Sequence, residues 1–544
     1  MEDTDEWEKT LEDAVSREYP ALIRRLFATI IVFGHPKNPD QLWQKYKKYM
    51  VDREQLSPES EKRALYHINS ILYHHNLDVK TAFIVRDMPD FTTTKNQLTD
   101  ENLNMDFGVP MTTMAQTAKA DEMQGSFTET QKAFAEEIHR AMTSKDNKTK
   151  RLFFLSGSGG SGKSYLYNYL YHRYTSDDYK VVMVAHTGIA ATLLETGQTA
   201  HRRFMLPLNI TENGRSNMDI GSPAAKELAS AHLFIYDEAT MADKFVFEAV
   251  DHLLRDVTGK DVPFGGKVFI FGGDWKQLLP VIKNVRGESI VDYTLKGHTK
   301  LWKELQVRTL AGNQRAKDSQ SYRQFLEDLG NGRHMHRGRV DIDDGMMCDT
   351  EEEVINFVYP PNYFKKNRQE QNVCLLTITN NESMAINEEV LSRVQGPMRT
   401  YTSIDMPTET NGMQFAPEYF HDELGSGMPP HKLNLKEHIT TIGNVVILLR
   451  NLDVKGGLCN GTRMVVLAMF DHYVRCRIIG SKSHQNVEAI IPRTKLTPAD
   501  SDKKVKYTRL QVTSQELRSA IMPRGTPDWT NDSFSLFSQA YDMK

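Results

Sequence analysis

Cysteine is scarce in this 544-residue sequence: Cys348, Cys374, Cys459 and Cys476 are its four, and none are spaced as Cys-x-x-Cys. That excludes a disulfide frame and a zinc site of paired cysteines, and it fits reduced thiols in an intracellular protein. Long apolar runs are missing too. Leu26 to Gly34, the longest near the start, follows Arg24-Arg25 and is too short to cross a bilayer. The opening Met1-Glu2-Asp3 is acidic, unlike the basic head of a signal peptide. Cytosol or nucleus is therefore the expected setting. There is no excess of positive charge: 67 Lys and Arg face 71 Asp and Glu, for a net charge of −4. A global nucleic-acid footprint is excluded, whereas a local basic channel is not. Internal repeats are absent. What is present, 39% hydrophobic and 25% charged residues, describes a globular chain. Its length allows about three or four domains.

The most informative segment is Gly157-Ser158-Gly159-Gly160-Ser161-Gly162-Lys163-Ser164, directly after the apolar run Arg151-Leu152-Phe153-Phe154-Leu155. It is a complete phosphate-binding loop. Glycines let successive backbone N–H groups turn toward phosphate oxygens, Lys163 reaches the β- and γ-phosphates, and the Ser164 hydroxyl ligates magnesium. A helix starting near Gly162 adds its positive N-terminal dipole. A Gly-rich turn of no function is the competing reading. The preceding buried strand and the helical continuation Tyr165-Leu166-Tyr167-Asn168-Tyr169-Leu170 disfavour it. ATP with Mg2+ is the expected ligand pair.

Residues 1–95 are helical in pattern: Leu22, Leu26, Ile30 and Phe33 recur at helical spacing, as do Leu65, Ile68, Ile71 and Leu72. Residues 96–125 are polar, Thr- and Met-rich, and predict a linker. From Ser126 a helix is expected to run to about Met142, capped by Thr128 or Thr130. Strand candidates Leu152–Leu155, Val181–Val184, Leu233–Tyr236 and Val268–Phe271 then alternate with helical patterns. This alternation predicts an α/β domain over 126–315 with a parallel sheet, interrupted by an inserted loop at 207–225. A second α/β stretch over 316–442 takes Val373-Cys374-Leu375-Leu376-Thr377 as its first strand. Residues 443–498 alternate short β-rich runs with Gly and Asn, as in a small barrel. Residues 499–544 are a polar tail without strand signals.

Leu233-Phe234-Ile235-Tyr236-Asp237-Glu238 is an apolar strand ending in two acids. Beside a phosphate loop, Asp237 is the expected magnesium ligand and Glu238 the carboxylate that activates water. Alone, the pair reads equally as a solvated acidic turn. Phe269-Ile270-Phe271-Gly272-Gly273-Asp274-Trp275-Lys276-Gln277 leads another strand into a tight turn, and Gln277 there is placed to report on the γ-phosphate. Arg315 is a candidate for transition-state charge and Gln131 for an adenine edge, each weak in isolation. Ala185-His186-Thr187-Gly188-Ile189-Ala190-Ala191 has the small residues that a single-strand phosphate track needs, with Thr187 and Gly188 as contacts. Thr199 and His201, with Arg202 and Arg203, extend that track. Tight helix–sheet packing competes as the explanation.

Taken in order, these segments resemble the motifs of the petite-integration-frequency DNA helicases. The resemblance is carried by Gly157–Ser164, Thr187–Ala191, Asp237-Glu238-Ala239-Thr240-Met241, Gly272–Val281 and Asn313-Gln314-Arg315. Ser426-Gly427-Met428-Pro429-Pro430-His431, Leu448-Leu449-Arg450-Asn451-Leu452-Asp453, Gly457–Arg463 and Ile491-Pro492-Arg493 are similar to the branch found in Helitron rolling-circle transposons. Arg24–Thr29 and Leu42-Trp43 resemble the region before that helicase. The resemblance implies an ATP-dependent helicase translocating 5′ to 3′ on single-stranded DNA. Two RecA-like motor domains with a small β-barrel insert are implied, preceded by the helical N-terminal region. By carry-over, Lys163, Asp237, Glu238, Gln277 and Arg315 are catalytic. Gln131, Gly157, Gly159, Gly160, Gly162, Lys163 and Ser164 hold the nucleotide, and Ser164 and Asp237 hold the metal. Thr187, Gly188, Thr199 and His201 touch DNA. Single strands and duplex junctions are the implied partners of a monomer without membrane attachment. Nuclear placement is implied, with mitochondria as an alternative, and so are roles in repair, recombination and telomere maintenance. Past Ile491-Pro492-Arg493 the family's Thr-Ile-Asn-Lys-Ser-Gln-Gly and Tyr-Val-Ala-x-Ser-Arg motifs are missing, and residues 508–544 look unrelated. A truncated copy with an incomplete second motor domain is the expectation. Two other readings stay open: a remnant that binds ATP or single-stranded DNA without unwinding, and a phosphate-loop switch ATPase acting on protein.

Overall fold

The structure, a computed structural model, describes residues 3–51, 56–73, 111–144, 149–207, 210–277, 287–312, 319–333, 347–361, 380–394, 396–409, 428–436, 445–453, 456–479, 486–498 and 506–512, with shorter pieces between and after. The chain divides into two compact units. One joins Met1–Phe107 to Cys348–Met522, and the other is centred on Gly108–Met347.

The Gly108–Met347 unit is built on six strands: β1 (Leu152–Ser156), β2 (Val181–Ala185), β3 (Gln198–Thr199), β4 (Leu233–Asp237), β5 (Val268–Gly273) and β6 (Gln306–Thr309). Their order is β3-β2-β4-β5-β1-β6, and every pairing is parallel. Helices cover both faces, so the central strands are apolar throughout: β4 and β5 are buried at every residue. On one face Phe154, Phe234, Phe269 and Phe271 pack with Phe247 and Leu254 of the helix Lys244–Thr258. On the other, Phe153, Ile235 and Ile270 meet Leu166 and Leu170 of the helix Lys163–Ser176. The four strand expectations hold, each extended by a residue or two at its carboxyl end.

The expected linker 96–125 is helical over its second half. Thr113–Gly125 is a helix whose N-cap Thr112 Oγ1 accepts from Ala115 N at 3.3 Å. Its buried stripe, Gln116, Ala120 and Met123, is short and one of its three residues is polar, which is why periodicity does not announce it. The next helix, Glu129–Thr143, takes Thr128 as its cap in a reciprocal capping box with Gln131.

In the other unit the helices Asp3–Val15, Pro20–Thr29, Pro39–Tyr46 and Pro58–Tyr73 bury Trp7, Leu11, Leu22, Phe27, Trp43 and Ile68 together with Tyr473, Ile490 and Leu510. The last three belong to a seven-stranded antiparallel sheet. Its order is Ile404–Glu409, Lys506–Val512, Glu488–Leu496, Tyr473–Ile478, Arg463–Met469, Val445–Leu448, Ser514–Glu516. The barrel expected within 443–498 is thus a larger sheet, and the tail expected to lack strands supplies two of its members. The reason is chemical. Lys506–Val512 buries Arg509 and Gln511 completely, so its alternation reads as polar. Arg509 forks onto Asp405, with Nε–Oδ1 2.8 Å and Nη2–Oδ2 2.7 Å, and donates to the carbonyls of Pro429 and Phe420. Gln511 Nε2 donates to the carbonyls of Tyr401 and His431. The described part of the Ser426–His431 motif is therefore held by the backbone carbonyls of Pro429 and His431. Within the second α/β stretch, Leu375–Thr377 pairs in parallel with Ser519–Ile521 and packs on the helix Asn380–Arg393.

Removing one partner of the Arg509–Asp405 pair leaves an uncompensated buried charge. Arg509→Met is expected to cost about 3–5 kcal/mol, measured as a fall in urea midpoint. The double change Arg509→Met with Asp405→Leu is expected to recover most of it, and a single variant as stable as the parent would contradict this account.

Candidate active site

Parallel pairing brings the carboxyl ends of the strands level. Ser156 lies opposite Gly273, and Ala185 opposite Asp237. β5 is inserted between β1 and β4, so the turn after β5 sits between the phosphate loop and the acids. Ligand sites of open α/β sheets form at such carboxyl edges.

The loop itself is strongly curved. Gly160 and Gly162 hold φ of +83° and +87°, in the left-handed region. A Cβ at 162 would also collide with the Gln131 amide. The helix Lys163–Ser176 starts at this point. Lys163 Nζ donates to Gly157 O at 2.5 Å, folding the ammonium back over the loop. Ser161 is buried and its Oγ has no hydrogen-bond partner among the described residues.

The acids close the site. Ser164 Oγ donates to Asp237 Oδ2 at 3.3 Å, and Asp237 Oδ1 accepts from Glu238 N at 2.9 Å. Burial raises both carboxyls above their ordinary range. For Asp237 the Lys163 charge works against this, while for Glu238 the Asp237 charge adds to it. Glu238 is left-handed at φ 55°. Its Oε2 accepts from Thr187 Oγ1 at 2.9 Å, so the first residue of the expected DNA track is hydrogen-bonded to the second acid.

Sequence reasoning passed over Asp274 except as a member of its turn. Its Oδ2 accepts from Gly159 N at 3.0 Å, its Oδ1 from Lys276 N at 2.9 Å, and its carbonyl from Gln277 N at 3.1 Å. It therefore laces the β5 turn to the phosphate loop. Gln277 is brought in: its Nε2 lies 3.8 Å from where a Cβ on Gly159 would stand. Trp275 fixes the turn by packing on Phe154 and Trp302.

Gln131, the candidate for an adenine edge, lies against Gly162 at the start of the phosphate-loop helix. Its Oε1 accepts from Thr128 N at 2.9 Å, its Nε2 donates to Gly162 O at 3.4 Å, and it is 4% exposed. It braces the loop from behind. Arg315 lies outside the described residues, but Gln314 N donates to Gly160 O at 2.8 Å, so its neighbour touches the loop. Gly188 begins the short helix Gly188–Thr192, capped by Thr187. Thr199 pairs with Ala185 at the sheet edge, and His201 follows, its ring 5.8 Å from that of His186.

Among the described residues, one other cluster has ligand chemistry. Asp405, His421 and His431 lie within reach of a common point. Both Asp405 oxygens already accept from Arg509, and the two imidazoles stack at 3.5 Å and 15°. Stacked rings have parallel in-plane lone pairs that do not converge on one ion, and the guanidinium repels a cation. The cluster is a buried polar network.

A phosphate loop, a strand-terminal acid pair and an intervening glutamine turn on a parallel sheet are the architecture of the phosphate-loop class of nucleotide-binding domains. Comparison narrows the class. Residues 126–339 match the family model described as PIF1-like helicase, and residues 423–469 match that of the DNA helicase Pif1 2B domain. A Psychrobacter protein described as ATP-dependent DNA helicase Pif1 is 34% identical over 144 residues, 26% of this chain and 21% of the relative. A Candida albicans protein, ATP-dependent DNA helicase PIF1, is 26% identical over 346 residues, 61% of this chain and 34% of the relative. The Candida albicans Pif1 crystal structure covers 73% of this chain and 85% of its own, at 21% identity and TM-score 0.49. Residues 126–339 are thus a PIF1-like helicase domain by this match, and the chain spans between about a fifth and a third of the length of those two relatives. Among the described residues, no helix is long and apolar enough to cross a membrane.

His186 gives the unit a pH dependence. Burial, with His201 beside it, lowers its pKa from 6.5 to about 4. Folding therefore favours the neutral ring. That contribution is full above pH 6.5 and is lost as pH falls toward about 4. Asp237 and Glu238, raised by burial, take up protons earlier in the folded state and offset part of the loss. His186→Gln is expected to flatten the fall in melting temperature across this window. An identical slope in parent and variant would count against it.

Proposed function

We propose that the chain is an ATP-driven motor that moves 5′ to 3′ along single-stranded DNA and unwinds duplex at junctions. The observation that supports this best is the convergence of Lys163, Ser164, Asp237 and Glu238 at one sheet edge, with Thr187 hydrogen-bonded to Glu238. The site fits a magnesium nucleotide. The loop N–H groups and Lys163 match a polyphosphate, the unpartnered Ser161 hydroxyl suits a polar ligand, and Ser164 with Asp237 is a hard-oxygen pair. Mg2+, held by Ser164 and Asp237, would neutralise charge on the phosphates. Glu238 accepts the proton of the attacking water, and burial makes it a stronger base than an exposed glutamate. Gln277, laced to the loop through Asp274, registers the γ-phosphate. Arg315 supplies charge to the same end.

Thr187 and Gly188 take the DNA backbone, with Thr199 and His201 continuing the track along the sheet edge. A phosphate seated on Thr187 competes for the hydroxyl that holds Glu238, and this makes turnover respond to DNA. The motifs at 426–431, 448–453 and 457–463 support the Helitron branch. Cys348, Cys459 and Cys476 are free, which suits a reducing compartment such as the nucleus.

Lys163→Ala is expected to abolish ATP turnover, and unchanged activity would remove the site. Glu238→Gln is expected to retain nucleotide binding and lose turnover by about 10²–10⁴-fold. Thr187→Val, which removes the restraint on Glu238, is expected to raise basal ATPase toward the DNA-stimulated rate and to lose further stimulation by single-stranded DNA. DNA-independent turnover in the parent protein would instead favour a switch ATPase.

A further inference from the structure

This inference rests on the nucleotide site proposed above. Tyr167 stands one turn into the phosphate-loop helix, and its side chain is fully buried. Its hydroxyl has no hydrogen-bond partner among the described residues. Burying a hydroxyl unpaired is costly, and an apolar ring would fill the same space without that cost.

The surroundings say where the hydroxyl is aimed. A Cβ on Gly272 would collide with the Tyr167 hydroxyl while standing 3.3 Å from Asp237 Oδ1. Hydroxyl and carboxylate thus border one hollow, which exists because residue 272 has no side chain. Burial, with the Asp237 carboxylate beside it, pushes the phenol well above its ordinary range, so it remains a protonated donor. Asp237 accepts from Ser164 Oγ and from Glu238 N. A Ser164 oxygen turned toward a cation weakens the first of these bonds. Tyr167 is the neutral donor left to keep the carboxylate aimed.

We propose that Tyr167 is a positioning residue for the divalent cation: its hydroxyl donates to Asp237 across the Gly272 hollow, directly or through one water, and holds the carboxylate facing Ser164. Groups behind a metal ligand commonly set metal affinity by 10–100-fold.

The test is Tyr167→Phe in the full chain, with Mn2+ as the probe. Free Mn2+ is read by electron paramagnetic resonance during titration in the presence of ADP, and melting temperature is followed alongside. Expected are an Mn2+ affinity about tenfold weaker or more, an unchanged ADP affinity in EDTA, and a melting temperature equal to or above the parent's. In an Asp237→Asn background the same substitution is expected to change Mn2+ affinity little, because the two act as a unit. Equal Mn2+ affinity in parent and Tyr167→Phe overturns the proposal, as does a loss that persists undiminished beside Asp237→Asn. If the parent itself takes up neither ADP nor Mn2+, the nucleotide site fails and the tyrosine role fails with it. A parent that binds both, beside an indifferent Tyr167→Phe, discards the tyrosine alone.

Discussion

The catalytic geometry depends on how closely β4 and β5 approach at their carboxyl ends. Asp237 ends β4, and Gly272 and Gly273 end β5. A side chain at 272 would strike Tyr167, and one at 273 would strike Thr240. Two glycines in a buried strand are a cost in conformational entropy and in packing. Here they let the acids, the phosphate-loop helix and the glutamine turn share one small volume. The order β4-β5-β1 does the rest, because it puts the glutamine turn between the phosphate loop and the acid pair.

The other unit solves a different problem with a similar device. Beside its sheet lie the backbone carbonyls of Tyr401, Phe420, Pro429 and His431, which need hydrogen-bond partners once buried. Arg509 and Gln511 on a central strand meet that demand, accepting desolvation in return for four carbonyl contacts and a carboxylate fork. The stacked His421 and His431 complete the wall of this network, with Ser403 Oγ bridging Asp405 and His431. A guanidinium with its full set of partners specifies one arrangement of these groups more sharply than an apolar residue would.

These two cases mark what was legible in the sequence. The phosphate loop, the acid pair and the four principal strands were readable, because buried parallel strands are near-continuous apolar runs and the loop has a fixed glycine spacing. Lys506–Val512 was not, since a strand that buries Arg and Gln shows no apolar alternation. The helix Thr113–Gly125 was missed for want of a full apolar stripe. Within the site, the second tasks of known residues were hidden. Gln131 is a base-reader candidate by position, and its amide also serves as a cap and a brace. Asp274 looked like a turn residue, and its lacing of Gly159 spans 115 positions in sequence, beyond any local pattern.

The hydrogen bonds of the site form a continuous path: Ser164 to Asp237, Glu238 N to Asp237, Thr187 to Glu238. The Glu238 backbone sits at φ 55°, a conformation costing about 1–3 kcal/mol in a residue other than glycine. It persists because Asp237 accepts its N–H from one side and Thr187 clasps its carboxylate from the other. A group held by two partners against its own preference is displaced when either partner finds something better to bind. Thr187 also caps the helix Gly188–Thr192, so a ligand on that helix end competes directly for the hydroxyl that restrains the base. On the proposed function, the coupling between a bound strand and water activation requires no distant rearrangement. It needs one hydroxyl to change its partner.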